Sequence, residues 1–187
     1  MSTFTLVVVI GVILIGVVGI AAAMFLGKRK TERLRTRFGP EYARAVEESG
    51  GRRKAEVGLE QREKRVEGFA IRPLAASDRE RYLVSWRKVQ AEFVDDPKKS
   101  VTLAEQLLGD VMSTRGYSVS EFEQRSADIS VDHPLVVQNY RAAHEIATRH
   151  ASGQATTEDL RQAMIHYRTL FDDLVGEPEM ARAKAAP

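Results

Sequence analysis

The chain has 187 residues, 28 Lys and Arg against 26 Asp and Glu, a formal charge of +2 and no cysteine. Without cysteine, disulfides, thiol catalysis and thiolate-ligated zinc are excluded. The charge is uneven: residues 28–67 hold thirteen Lys and Arg against eight Asp and Glu, and residues 68–187 hold fifteen against eighteen, so the distal part lacks the strongly basic face of a nucleic-acid binder.

Residues 4–26 (FTLVVVIGVILIGVVGIAAAMFL) form an uncharged run of 23. As a helix it would extend roughly 34 Å, enough to cross a hydrocarbon core of about 30 Å. A cleaved signal peptide is the alternative. The run is too long for one, no basic residue precedes it, and the small residues Ala21, Ala22 and Ala23 are followed by Met24, Phe25 and Leu26 rather than by a mature start. The expectation is an uncleaved single-pass helix in the cell membrane. The flank Lys28, Arg29, Lys30, Arg33, Arg35 and Arg37 faces anionic lipid headgroups and, by the positive-inside rule, puts the rest of the chain in the cytoplasm; the alternative has the domain outside or secreted. Gly16, Gly19 and Ala23 share one face and offer a homodimer contact, against the plainer reading that small residues are common in membrane helices.

Beyond the run, residues 28–38 continue the helix until Gly39-Pro40 stops it. Residues 41–48 read as a short helix ended by Ser49-Gly50-Gly51. Residues 52–67 are helix-forming but nearly devoid of apolar side chains, with six Lys and Arg among four Glu. They read as a solvated stalk holding the distal domain off the bilayer. The alternative is a nucleic-acid tether using Arg52, Arg53, Lys54, Arg62, Lys64 and Arg65. The connector 68–76 carries Pro73, which bars helix through Arg72.

The distal chain is punctuated as helices at 77–94, 97–114, 121–127, 133–151 and 157–175. Ser77 with Glu80 and Ser120 with Glu123 read as capping boxes. Asp96 with Pro97 and Asp132 with Pro134 read as starts, and Thr156 or Thr157 caps the last helix. Residues 128–132 (DISVD) have the look of a short extended segment. Tyr82, Trp86, Val89 and Phe93 recur as one buried stripe, and the other long helices show equivalents. The fold class is therefore all-α. The predicted organisation is a transmembrane helix at 4–26, a basic juxtamembrane segment and charged stalk at 27–67, a helical bundle at 68–175 and a disordered tail at 176–187.

Chemistry is sparse. His133, His144, His150 and His166 have no metal-ligand spacing, so no metal or cofactor is expected. Asp172-Asp173, adjacent on a helix, point about 100° apart and cannot act jointly. Gly50-Gly51 lacks the remaining residues of a phosphate loop. No catalytic residue is expected. The one over-specified stretch is 128–134, a connector dense in Asp, Ser and His. A ligand groove there would use Tyr117, Arg125, Asp128, Asp132 and His133, against the plainer reading of helix capping.

The strings RFGPEY, FVDDP and FEQR with SVDHP, within an otherwise helical pattern from Arg33 to Val175, resemble an uncharacterised family of bacterial single-pass membrane or secreted proteins, mainly actinobacterial and from other high-GC genomes. Ser118 stands where that family has Pro. The resemblance implies one N-terminal hydrophobic segment and a helical remainder, and implies no activity, cofactor or catalytic residue. The expected function is a membrane-anchored interaction or scaffold protein with a protein partner. A nucleic-acid tether and a small-ligand receptor or enzyme with its site at 128–133 are the alternatives.

Overall fold

A computed structural model describes the backbone of residues 3–176 and, within that range, the side chains of all but 3–10, 12, 13 and 23. The described chain is all-helical. Its elements are α1 Thr3–Phe38, α2 Pro40–Ser49, α3 Arg52–Glu67, α4 Ala76–Asp95, α5 Pro97–Arg115, α6 Phe122–Asp132, α7 Val137–Ala151 and α8 Thr157–Val175. Among the described residues no helix is long and apolar enough to cross a membrane. The side chains described within residues 4–26 are those at 11, 14–22 and 24–26. The predicted tail lies outside the described residues apart from Gly176.

Several helix ends follow from local chemistry. Gly39, at φ 47°, breaks α1 from α2, and Pro40 occupies the first position of α2. Asp96 accepts the Lys99 amide ahead of Pro97. Thr156 and Asp159 cap each other reciprocally at the start of α8. Three expectations are corrected. The helix at 77 begins at Ala76, with Ala75 at its cap and no side-chain cap bond, because the extended connector delivers the chain one residue early. The cap of α6 is Glu121, again without a side-chain bond, while the Ser120 carbonyl is taken by Arg125. The segment 128–132 is helical, not extended: α6 runs on through it to Asp132, and Asp132-Pro134 marks a helix end and a turn before α7.

Two apolar cores result. The larger joins α4, α5, α7 and α8 along their stripes, with Ile129 of α6, and its centre includes Trp86 stacked on Phe171 at 4.6 Å. The smaller joins the end of α1 (Leu34, Phe38), α2 (Tyr42, Ala45), α3 (Ala55, Leu59, Val66) and Val131 of α6. Leu34 and Phe38 are fully buried, each such side chain stabilising by about 1.5–3 kcal/mol.

The smaller core corrects the stalk. Residues 52–67 are not a solvated spacer. Helix α3 packs on α1, α2 and α6, with Ala55, Glu56, Leu59, Glu63 and Val66 buried. Its charges answer charges on its neighbours: Lys30 reaches Glu60 at 2.8 Å, Arg33 reaches Glu63 at 3.0 Å and Thr31 donates to Glu56 at 2.7 Å. The ion pairs advance together along both helices, Lys30 with Glu60 and then Arg33 and Arg37 with Glu63, so α3 lies parallel to α1, and α2 folds back as the first arm of a hairpin.

Candidate functional site

The two cores meet at a seam, and the seam holds a cleft of about 490 Å³. Its walls come from five places: Arg37 at the end of α1, Glu63, Val66 and Glu67 of α3, the connector from Phe69 to Pro73, Arg115 and Tyr117 around the end of α5, and Val131, Asp132 and His133 closing α6. The connector is fixed against α5 because the Arg72 amide donates to the Arg115 carbonyl at 2.9 Å. Close approach there requires Gly116, which ends α5 at φ 99°; a β-carbon on it would sit 2.4 Å from the Ala70 carbonyl oxygen.

Arg115 is the unusual group. It is 4 % exposed, yet no carboxylate lies within ion-pairing distance of it among the described residues. Its guanidinium donates to the Leu174 carbonyl at 3.0 Å and to His133 Nε2 at 3.4 Å, and its Nε has no partner. A buried, unpaired cation costs several kcal/mol in desolvation that a ligand anion would offset. Because guanidinium can only donate, His133 Nε2 accepts, and Nδ1 carries the proton that His133 gives to Asp173. Nε2 thus faces a cation, not a hydroxyl or thiol nucleophile. Beside them Tyr117 donates to Asp132 at 3.0 Å. Burial first, and the Asp132 charge second, push its phenol up from the usual tyrosine value, so it stays a neutral donor.

Of the predicted groove, then, Tyr117, Asp132 and His133 do come together, and Arg125 and Asp128 do not. Arg125 turns away to the Ser120 carbonyl. Asp128, 1 % exposed, is held by Arg65 at 3.0 Å and by Gln124 at 2.8 Å. Arg115, Arg72 and Asp173 were missed by the sequence reading. Arg115 stands in the sequence as a basic last turn before Gly116, and Asp173 as half of the Asp172-Asp173 pair.

The other predicted residues also find places. Of the six basic residues assigned to headgroups, Lys30, Arg33 and Arg37 pair with Glu60 or Glu63, and Arg35 lies 3.8 Å from Glu32 and over the Tyr42 ring. Arg37 is eleven residues beyond Leu26, roughly 16 Å along the helix, further than a Debye length of about 8 Å at physiological salt. Lys28 and Arg29 stay exposed at the end of the run. Of the residues assigned to a nucleic-acid contact, Arg62 is engaged by the fully buried Glu41 and Arg65 by Asp128, while Arg52, Arg53, Lys54 and Lys64 are exposed. Gly16 and Gly19 are open on the surface of α1, and the Ala23 side chain is outside the described ones. His144 pairs with Glu105 at 2.9 Å and stacks on Phe122, and His166 bonds Asn139. No cluster of potential metal ligands occurs among the described residues.

No family model, curated protein or solved structure matches the chain.

Proposed function

We propose that this chain is a membrane-anchored helical binding protein, with residues 4–26 as a single spanning helix and the bundle on the cytoplasmic side, and that it works by holding an acidic group of a protein partner in the seam cleft. The observation that carries this reading is Arg115, a buried guanidinium without a carboxylate in a cleft floored by Val66, Phe69, Ile71 and Val131. Arg72 adds an exposed cation at the rim. The arrangement suits an acidic side chain or chain terminus flanked by apolar residues. His133 is read as positioning Arg115 rather than as a base, since its Nε2 already accepts from Arg115.

The anchor is supported by the length and neutrality of the run and by the basic residues that follow it. It is tested by washing membranes with alkaline carbonate, which should leave the chain in the pellet, and by reporter fusions after Val175, which should be active in the cytoplasm. Release by the wash removes the anchor; activity only outside reverses the topology. The cleft is tested by placing a photoreactive residue at Ile71 in the full chain and comparing it with the same chain carrying Arg72→Glu. A discrete cross-linked product that Arg72→Glu weakens supports the reading. A product indifferent to Arg72→Glu, or none, sinks it.

A second reading, a receptor for a small carboxylate-bearing molecule, is favoured by the cleft volume, which falls in the range of about 300–1,000 Å³ typical of small-ligand sites. Cross-linking to small molecules but to no protein would select it.

A further inference from the structure

The parallel pairing of α3 with α1 has a second result. The tip of the α2–α3 hairpin, from Ser49 to Arg53, is carried back to the level of Met24 and Lys28, the end of the uncharged run. There a cleft of about 570 Å³ opens between α1 and the start of α3. Met24 and Gly27 form its apolar edge, and Lys28, Arg35, Arg52 and Arg53 supply four cations. Its two acidic residues are already occupied: Glu56 accepts from Thr31 and Tyr42 at 2.7 and 2.9 Å, and Glu32 lies 3.8 Å from Arg35. Arg52, Arg53 and Lys28 are exposed, and Arg52 comes no nearer than 3.9 Å to Glu56. Helix α3 has no acidic residue in its first turn and no side-chain cap at Gly51, so the carboxylate nearest the basic tip is Glu56, one turn on and 3.9 Å from Arg52.

We propose that this cleft is a binding site for the phosphate-bearing headgroup of an anionic glycerophospholipid, its acyl chains lying along the uncharged run beside Met24. The inference rests on the anchor reading above, because the apolar edge matters only where acyl chains are present. It assigns Arg52 and Arg53 to lipid and not to nucleic acid. The charge fits: the four cations of the lining outnumber its two carboxylates, and a phosphate diester beside Lys28, Arg52 and Arg53 gains charge-assisted hydrogen bonds. The geometry fits as well, since a site at the boundary between apolar and charged residues of α1 is where a headgroup lies.

The experiment uses the full chain in neutral detergent and reads the melting temperature with short-chain phosphatidylglycerol, short-chain phosphatidylcholine or inorganic phosphate added. Phosphatidylglycerol at about a hundred times its Kd should raise melting by roughly 5–10 °C, with little effect of the other two. The variant Arg52→Gln/Arg53→Gln should melt as before without lipid and lose the shift. The variant Arg79→Gln/Lys88→Gln, which removes the same charge from α4, should keep it. Equal shifts with phosphatidylcholine or inorganic phosphate, persistence in Arg52→Gln/Arg53→Gln, or loss in the α4 variant would each overturn the proposal. Carbonate washing separates the two readings: a chain released from membranes removes the anchor, whereas a chain retained without the selective shift removes only the lipid site.

Discussion

Glu41 and Arg141, one hundred residues apart, meet through two hydrogen bonds: Arg141 Nη1 donates to Oε2 at 2.7 Å and Nη2 to Oε1 at 2.9 Å. Glu41 is fully buried, and Arg62 adds a third donor at 2.9 Å. One carboxylate thus ties α2 to α3 and to α7, and with them the smaller core to the larger. Glu41→Gln keeps the shape but turns an NH2 group toward a guanidinium and leaves two partly buried cations without their counter-charge. Urea unfolding of the full chain should show a loss of about 3 kcal/mol, at the lower end for a broken buried pair because Arg62 and Arg141 retain some solvent.

Gly116 and Gly153 separate two effects of a side chain at positive φ. Gly153, at φ 72°, has nothing near an added β-carbon, whereas Gly116, at φ 99°, would drive one into the Ala70 carbonyl. Gly153→Ala should cost about 1–2 kcal/mol, the left-handed backbone penalty alone. Gly116→Ala should cost more than that, since the connector must also shift. Equal losses in thermal unfolding would show that the connector is not held against α5.

The buried tyrosines make stability depend on pH at the alkaline end. Burial pushes the Tyr140 phenol up to about 12, with Arg125 opposing, and raises Tyr117 and Tyr167 as well. An unfolded tyrosine loses its proton near pH 10. Above that the folded state binds more protons than the unfolded, so this contribution is whole below about pH 10 and is lost as pH rises toward about 12. Urea midpoints should fall over that window, and tyrosinate absorbance of the folded chain at about pH 11 should lag behind that of the unfolded chain. Coincident titrations of folded and unfolded chain would contradict the burial.

Phe38 tests how firmly α1 is joined to the rest. Phe38→Ala removes a fully buried ring from the smaller core and should cost about 3–5 kcal/mol. Loss should be local first: trypsin should cut at Arg33, Arg35 and Arg37 well before the larger core opens. Unchanged protection of those arginines would mean that the ion pairs to α3 hold α1 by themselves.

The helices of the larger core were legible because each carries a one-sided apolar stripe, and a stripe such as Tyr82, Trp86 and Val89 reports burial directly. The smaller core was not, because much of what α3 buries is carboxylate. Glu56 and Glu63 read as solvent-facing in any count of apolar residues, yet both are buried and bonded. A signal was present in the matched charge order, Lys30, Arg33 and Arg37 on one helix against Glu60 and Glu63 on the other. The site was half legible for a related reason. His133 and Asp132 stood out by density in one connector, whereas Arg115 acquires its meaning only from the missing counter-charge, which depends on which chains surround it.

Helix α1 runs from Thr3 to Phe38 without a break, and its last turn is part of a packed core. A domain on a flexible tether samples most of a hemisphere, and only a fraction of encounters presents the right face. If the run is seated in a bilayer, as proposed, the bundle would have one azimuth for each rotation of its helix and one elevation for each tilt. The seam cleft would then be offered in a fixed plane above the membrane, and a partner confined to the same surface would search two dimensions with its approach angle already set.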